Sequence, residues 1–150
     1  MNTDEEYIRD AIGLAREAAS DGNTPFGSLL VVGDTVVRRS KNTTMTENDI
    51  TAHPELKLAR WAARELDPDD LANCTMYTST EPCEMCATAI HYAGLNRVVY
   101  SVSGEALADV QEEASGISCR DVIRRKGGTT EIDGPVLETE GIRIHEEFYK

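Results

Sequence analysis

The sequence predicts an α/β domain in which helices pack on a central mixed sheet. Segments with apolar residues at helical spacing alternate with short runs rich in Val, Ile, Thr and Tyr, the pattern of a layered α/β domain. The first two such runs are separated by Gly33-Asp34, a hairpin turn, so part of the sheet is antiparallel. A chain of 150 residues is long enough to bury one core, and it contains no repeat, low-complexity tract or long linker. One domain over residues 1–150 is expected.

The first helix is expected over Asp4–Ser20. Thr3 and Glu6 stand at capping-box spacing, and Ile8, Ala11, Ile12, Ala15, Ala18 and Ala19 form one apolar stripe that Gly22 can end. Phe26–Val32 and Thr35–Arg39 are the two hairpin strands. A loop rich in Asn and Thr (Asn42–Thr51) leads to a second helix over Pro54–Leu66, broken by Asp67-Pro68. A strand over Cys74–Ser79, a helix over Cys83–Ala93 and a strand over Arg97–Val102 follow. The remaining elements are a helical segment at Glu105–Val110, a short strand at Thr129–Ile132 and a last helix over Glu138–Tyr149.

Charge bears on partners. Acids outnumber bases 27 to 15, for a net charge of -12, and the densest basic stretch, Arg120–Lys126, is short. Proteins that hold long nucleic acids need Lys and Arg against the phosphates, so a small neutral substrate fits this chain better. The acidic start MNTDEEYIRD has no apolar stretch behind it, and no run of 18 apolar residues occurs. Neither a secretion signal nor a membrane span is expected, and the expected location is the cytoplasm.

The chemistry-bearing residues sit at two helix starts. In Thr51-Ala52-His53-Pro54-Glu55, Pro54 suits the first helical position, which places His53 at the entry and Glu55 in the first turn. In Glu81-Pro82-Cys83-Glu84-Met85-Cys86, Pro82 is expected to play the same part, with Cys83 and Cys86 on one helical face. A helix N-terminus favours thiolate. Two thiolates and a neutral imidazole make a three-ligand zinc site that leaves a fourth position for water, the catalytic rather than the structural pattern. Glu55, beside that water without binding the metal, is the candidate proton carrier.

Each half has a plainer reading. His-Pro-Glu alone is a helix start, and Cys-x-x-Cys alone can be a redox pair. Together, His-x-Glu opening one helix and Pro-Cys-x-x-Cys opening the next form the pattern of zinc nucleobase deaminases. Cys74 and Cys119 lack close partners and read as small buried hydrophobes.

These segments, with Thr24-Pro25-Phe26-Gly27, Asn42, Asn48-Asp49-Ile50-Thr51 and Tyr77-Thr78-Ser79-Thr80, resemble the cytidine deaminase-like superfamily. The likeness is to the branch holding guanine, cytosine and tRNA adenosine deaminases, and most of all to bacterial guanine deaminase. It implies a three-layer α/β/α fold with a central mixed five-stranded sheet, a Zn2+ cofactor on His53, Cys83 and Cys86, and Glu55 as the catalytic group. By position it implies that Phe26 stacks on the substrate ring, that Asn42 hydrogen-bonds its polar edge and that His53 also lines the pocket. It further implies a homodimer, with Phe148 or Tyr149 as candidates to reach the neighbouring active site.

Two departures stand out. Pro54 replaces the usual Ala. The guanine deaminases resembled carry paired aspartates after the fourth strand, one of which helps read the guanine amine; here that region is Ala108-Asp109-Val110-Gln111-Glu112-Glu113. Asp109, Glu112 or Glu113 could stand in, or the stretch is a solvated acidic face. The leading expectation is hydrolytic deamination of a free nucleobase or related amino-heterocycle: guanine, cytosine, isoguanine or an s-triazine. The alternatives are tRNA adenosine deamination, nucleoside deamination, and a non-enzymatic zinc or redox domain. The nearly charge-balanced terminus Ile142–Lys150 weighs against tRNA.

Overall fold

The structure, a computed structural model, describes residues 2–150. Helix α1 (Asp4–Ser20) begins where Thr3 Oγ1 accepts the Glu6 N–H, and it buries the expected stripe except for Ala19, which is half-buried. Strands β1 (Gly27–Val32) and β2 (Thr35–Lys41) form the hairpin, with Gly33 at φ +62° in the turn. Helix α2 (Pro54–Glu65) has Pro54 in its first turn behind an N-cap at His53. A one-turn helix α3 (Pro68–Leu71) follows, capped by Asp67. Strand β3 (Cys74–Thr80), helix α4 (Glu84–Ala93) and strand β4 (Arg97–Val102) form a right-sized β-α-β unit. Helices α5 (Gly104–Gln111) and α6 (Cys119–Arg125), strand β5 (Glu131–Asp133) and helix α7 (Glu138–Tyr149) complete the chain.

The sheet order is β2-β1-β3-β4-β5, antiparallel for β2-β1-β3 and parallel for β3-β4-β5. Alternation along each strand divides the core into two. Leu30, Met76 and Val98 face α2, α4 and α6, whereas Leu29, Val31, Tyr77 and Val99 face α1 and α7. This is the three-layer α/β/α arrangement with a mixed five-stranded sheet.

Several bounds differ from expectation. Helix α6 stands where no element was expected; Ser118 Oγ accepts the Asp121 N–H, and Cys119, Val122 and Ile123 supply its buried face. The last strand lies two residues later than Thr129, because Thr130 turns its hydroxyl onto the Leu95 carbonyl before pairing begins. Cys83 is the N-cap of α4 with extended ψ of 174°, so Pro82 precedes the cap instead of opening the helix. None of the helices described is long and apolar enough to cross a membrane.

Register places the site. Gly27 pairs with Lys41 and Ser28 with Thr78, so Phe26, Asn42 and Thr80 meet at one end of the sheet. Gly27 is required there, since a Cβ would lie 2.5 Å from Leu14 Cβ and 2.6 Å from the Ala11 carbonyl. Without that close approach α1 could not seat against β1.

Candidate active site and metal centre

His53 and Cys83 are the N-caps of α2 and α4, and Cys86 lies one turn into α4. Both helix N-termini therefore aim their partial positive charge at the same point. His53 Nδ1 lies 3.7 Å from Cys83 Sγ and 3.5 Å from Cys86 Sγ, and the three donor atoms lie within 4.8 Å of one another. Tetrahedral zinc with Zn–S near 2.3 Å and Zn–N near 2.0–2.1 Å has an S···N edge of about 3.6 Å. The donor set and its spacing fit zinc. The Cys86 hydrogen bond holds the Cys83 thiol down to about 4, and the same contact raises Cys86. Contact with Cys83 raises His53. Cys74 and Cys119 are buried apart from this cluster, each pushed up to about 12 by burial, as small core groups should be.

Glu55, in the first turn of α2, is 4% exposed, and its Oε1 has no hydrogen-bond partner among the described residues. Burial lifts its carboxyl to about 7. An unpaired buried carboxylate oxygen is costly, and such groups cluster where chemistry needs them.

His53, Glu55 and Cys83 open onto a cavity of about 490 Å³, and Phe26, Asn42 and Leu107 also line it. Asn42 is buried, and its Oδ1 accepts both the Thr44 N–H at 3.0 Å and the Thr44 hydroxyl at 2.8 Å. The backbone N–H can only donate, so it fixes the amide: Asn42 has N–H groups left for a ligand. The loop that carries the cavity rim is pinned by Asn23 Oδ1, which accepts the Met45 and Thr46 N–H groups at 3.0 Å each.

Asp109, Glu112 and Glu113 are exposed and none lines this cavity, so the stretch is a solvated acidic face there. The residue that α5 does present is Leu107. No sequence signal marks it: α5 has eight residues and only Ala108 is buried, too few to define an inward face. Glu81 was also unanticipated in its role: Oε1 accepts the Gly104 N–H at 3.0 Å and Oε2 the Cys119 N–H at 2.8 Å. One carboxylate thus joins the metal loop to the first turns of α5 and α6. Tyr149 packs on His145 of its own chain, while Phe148 is exposed.

Comparison with known proteins agrees with this site. Residues 1–102 match the cytidine and deoxycytidylate deaminase zinc-binding region. A probable cytosine deaminase of Schizosaccharomyces pombe is 32% identical over 148 residues, covering 95% of this chain and 90% of that protein. A tRNA-specific adenosine deaminase of Buchnera aphidicola is 30% identical over 151 residues, covering 99% and 90%. The structure of guanine deaminase from Nitrosomonas europaea superposes with a TM-score of 0.84 at 18% identity, covering 99% of this chain and 86% of that one. With the matched region containing His53, Cys83 and Cys86, the chain belongs to the cytidine and deoxycytidylate deaminase family and is a zinc-dependent deaminase.

Proposed function

We propose that the chain hydrolyses the exocyclic amine of a free nucleobase or related amino-heterocycle, such as cytosine, guanine, isoguanine or an s-triazine. Water replaces the amine, giving an oxo-heterocycle and ammonia. The observation that carries this reading is the buried, unpaired Glu55 carboxylate beside the His/Cys/Cys cluster in a cavity that no described Lys or Arg lines. A polynucleotide threaded to the metal would bring phosphates to a rim of Met45, Asn48, Asp49 and Ile50, which offers them no cation.

His53, Cys83 and Cys86 would hold the zinc. Bound there, zinc supplies the Lewis acidity that makes water a nucleophile near neutral pH. Glu55 takes a proton from the attacking water and passes it to a ring nitrogen, then takes the remaining proton from the added hydroxyl and delivers it to the amine as the C–N bond breaks. Phe26 offers a face for stacking, and Asn42 donates to an acceptor on the substrate edge, a carbonyl oxygen or an unprotonated ring nitrogen. The homodimer expected from the resemblance is part of this proposal.

Ammonia release by zinc-loaded protein across a panel tests it. The panel holds cytosine, guanine, isoguanine, adenine, their nucleosides, amino-triazines and deacylated tRNA. Turnover of one or a few free bases is expected. Inosine appearing in tRNA, with no free base turned over, would overturn the reading.

A further inference from the structure

Helix α7 contributes no residue to the cavity wall, yet one of its side chains reaches that wall from behind. His145 is 1% exposed. Its Nε2 lies 2.7 Å from Thr80 Oγ1, and its ring centroid lies 5.2 Å from that of Phe26 at a 50° tilt. Thr80 and Phe26 both line the cavity. On its far side the ring stacks on Tyr149, with centroids 6.0 Å apart. Among the described residues, Nδ1 has no hydrogen-bond partner.

A histidine in this place is an expensive way to fill space. Leaving a buried ring nitrogen unpaired carries a desolvation cost that a phenylalanine or leucine would avoid. What the imidazole alone provides is the hydrogen bond to Thr80 together with a flat face for Phe26. Thr80 ends β3 and Phe26 leads into β1, so the two come from different strands and share this one support.

We propose that His145 is a positioning residue for substrate recognition: by holding Thr80 and Phe26 together, it lets α7 set which heterocycle the cavity accepts. This rests on the base-deaminase reading and deepens it. The Phe26 ring is one wall of the slot that a flat substrate enters, so a small change in its tilt alters the slot's width. Fixing the Thr80 side chain sets the wall next to the metal loop, because Glu81 and Cys83 follow directly. His145 itself touches neither substrate nor metal. Losing it therefore changes discrimination among substrates, and KM more than kcat, while leaving the zinc ligands intact.

The test compares wild type with H145F, H145Q, T80V and the H145F/T80V double variant, each assayed for zinc content and Tm. For each, KM and kcat are measured on the best base of the panel, together with the rate ratio to the next best. H145F keeps an aromatic ring but loses the hydrogen bond; T80V keeps the shape and loses the hydroxyl. Both are expected to raise KM or shift the rate ratio about tenfold. The double variant should go no further than the larger single, because both remove the same interaction. H145Q, whose amide can reach the Nε2 position, should recover part of the shift. If H145F does not fold, T80V carries the test. Folded, zinc-loaded variants with KM and rate ratio within about twofold of wild type would overturn the proposal, as would effects that simply multiply. Wild-type protein silent on every base is a different outcome: it removes the base-deaminase reading and this inference with it.

Discussion

Glu55 and His145 are both buried, and burial moves them in opposite directions because it disfavours charge on either. The carboxyl rises to about 7 and the imidazole falls to about 4, in each case chiefly through desolvation. For His145 this has a consequence for stability. The unfolded chain takes up the proton near pH 6.5, while the folded chain resists it until about 4. Above 6.5 both states are neutral and nothing is lost. As pH falls through the window the unfolded state binds more protons, so stability declines, by about 2 kcal/mol at pH 5 from this group alone. Urea unfolding at pH 7 and pH 5 should show wild type losing that much more than H145F. Equal losses in the two proteins would contradict the assignment of a neutral buried ring. Nothing in the sequence around Ile144-His145-Glu146 distinguishes this histidine from a surface one; its burial depends on Phe26 and Thr80, which lie far away in the chain.

Among the elements, the N-termini of α2 and α4 were legible because Pro54 and the Cys-x-x-Cys spacing mark them, although α4 begins one residue later than Cys83. Helix α6 was not, since its seven residues carry too few apolar positions to establish a period beside the polar stretch before it and Gly127-Gly128 after it. The Ser118-x-x-Asp121 cap was the signal available. What ties α6 and α5 to the active-site loop is Glu81, whose two oxygens each take one helix-start N–H. Charge-assisted hydrogen bonds at helix starts make this a sizeable contribution. Glu81→Ala should cost about 2–4 kcal/mol, and Glu81→Gln, with one acceptor oxygen instead of two, an intermediate amount. Thermal unfolding reads both. A Tm for Glu81→Ala equal to wild type would mean that the two helices hold their places without the bridge.

Across the whole molecule, the site depends on topology that local sequence does not display. Phe26, Asn42, Glu55, Thr80, Cys83, Leu107 and His145 come from six separate stretches. They meet because β1 runs antiparallel to both β2 and β3, which puts the start of one strand beside the ends of the other two. The metal residues could be read directly, since their chemistry requires particular residue types at particular spacings. The wall residues could be read only in part: Phe26 and Asn42 by position in a resembling family, Leu107 and His145 not at all. Asp109, Glu112 and Glu113 show the reverse case, acids near the expected place that are exposed on α5 and just past its end. With Leu107 lining the cavity in their stead and the Asn42 N–H groups left to donate, the proposed function expects a flat ring presenting an acceptor edge.

The central claim is that Glu55 moves protons while His53, Cys83 and Cys86 hold zinc, and Glu55→Gln separates these roles most directly because it keeps the side chain's shape. Turnover of the best panel base should fall by about a hundredfold or more while zinc stays bound as in wild type. Near-wild-type turnover in a zinc-loaded Glu55→Gln protein would contradict the account.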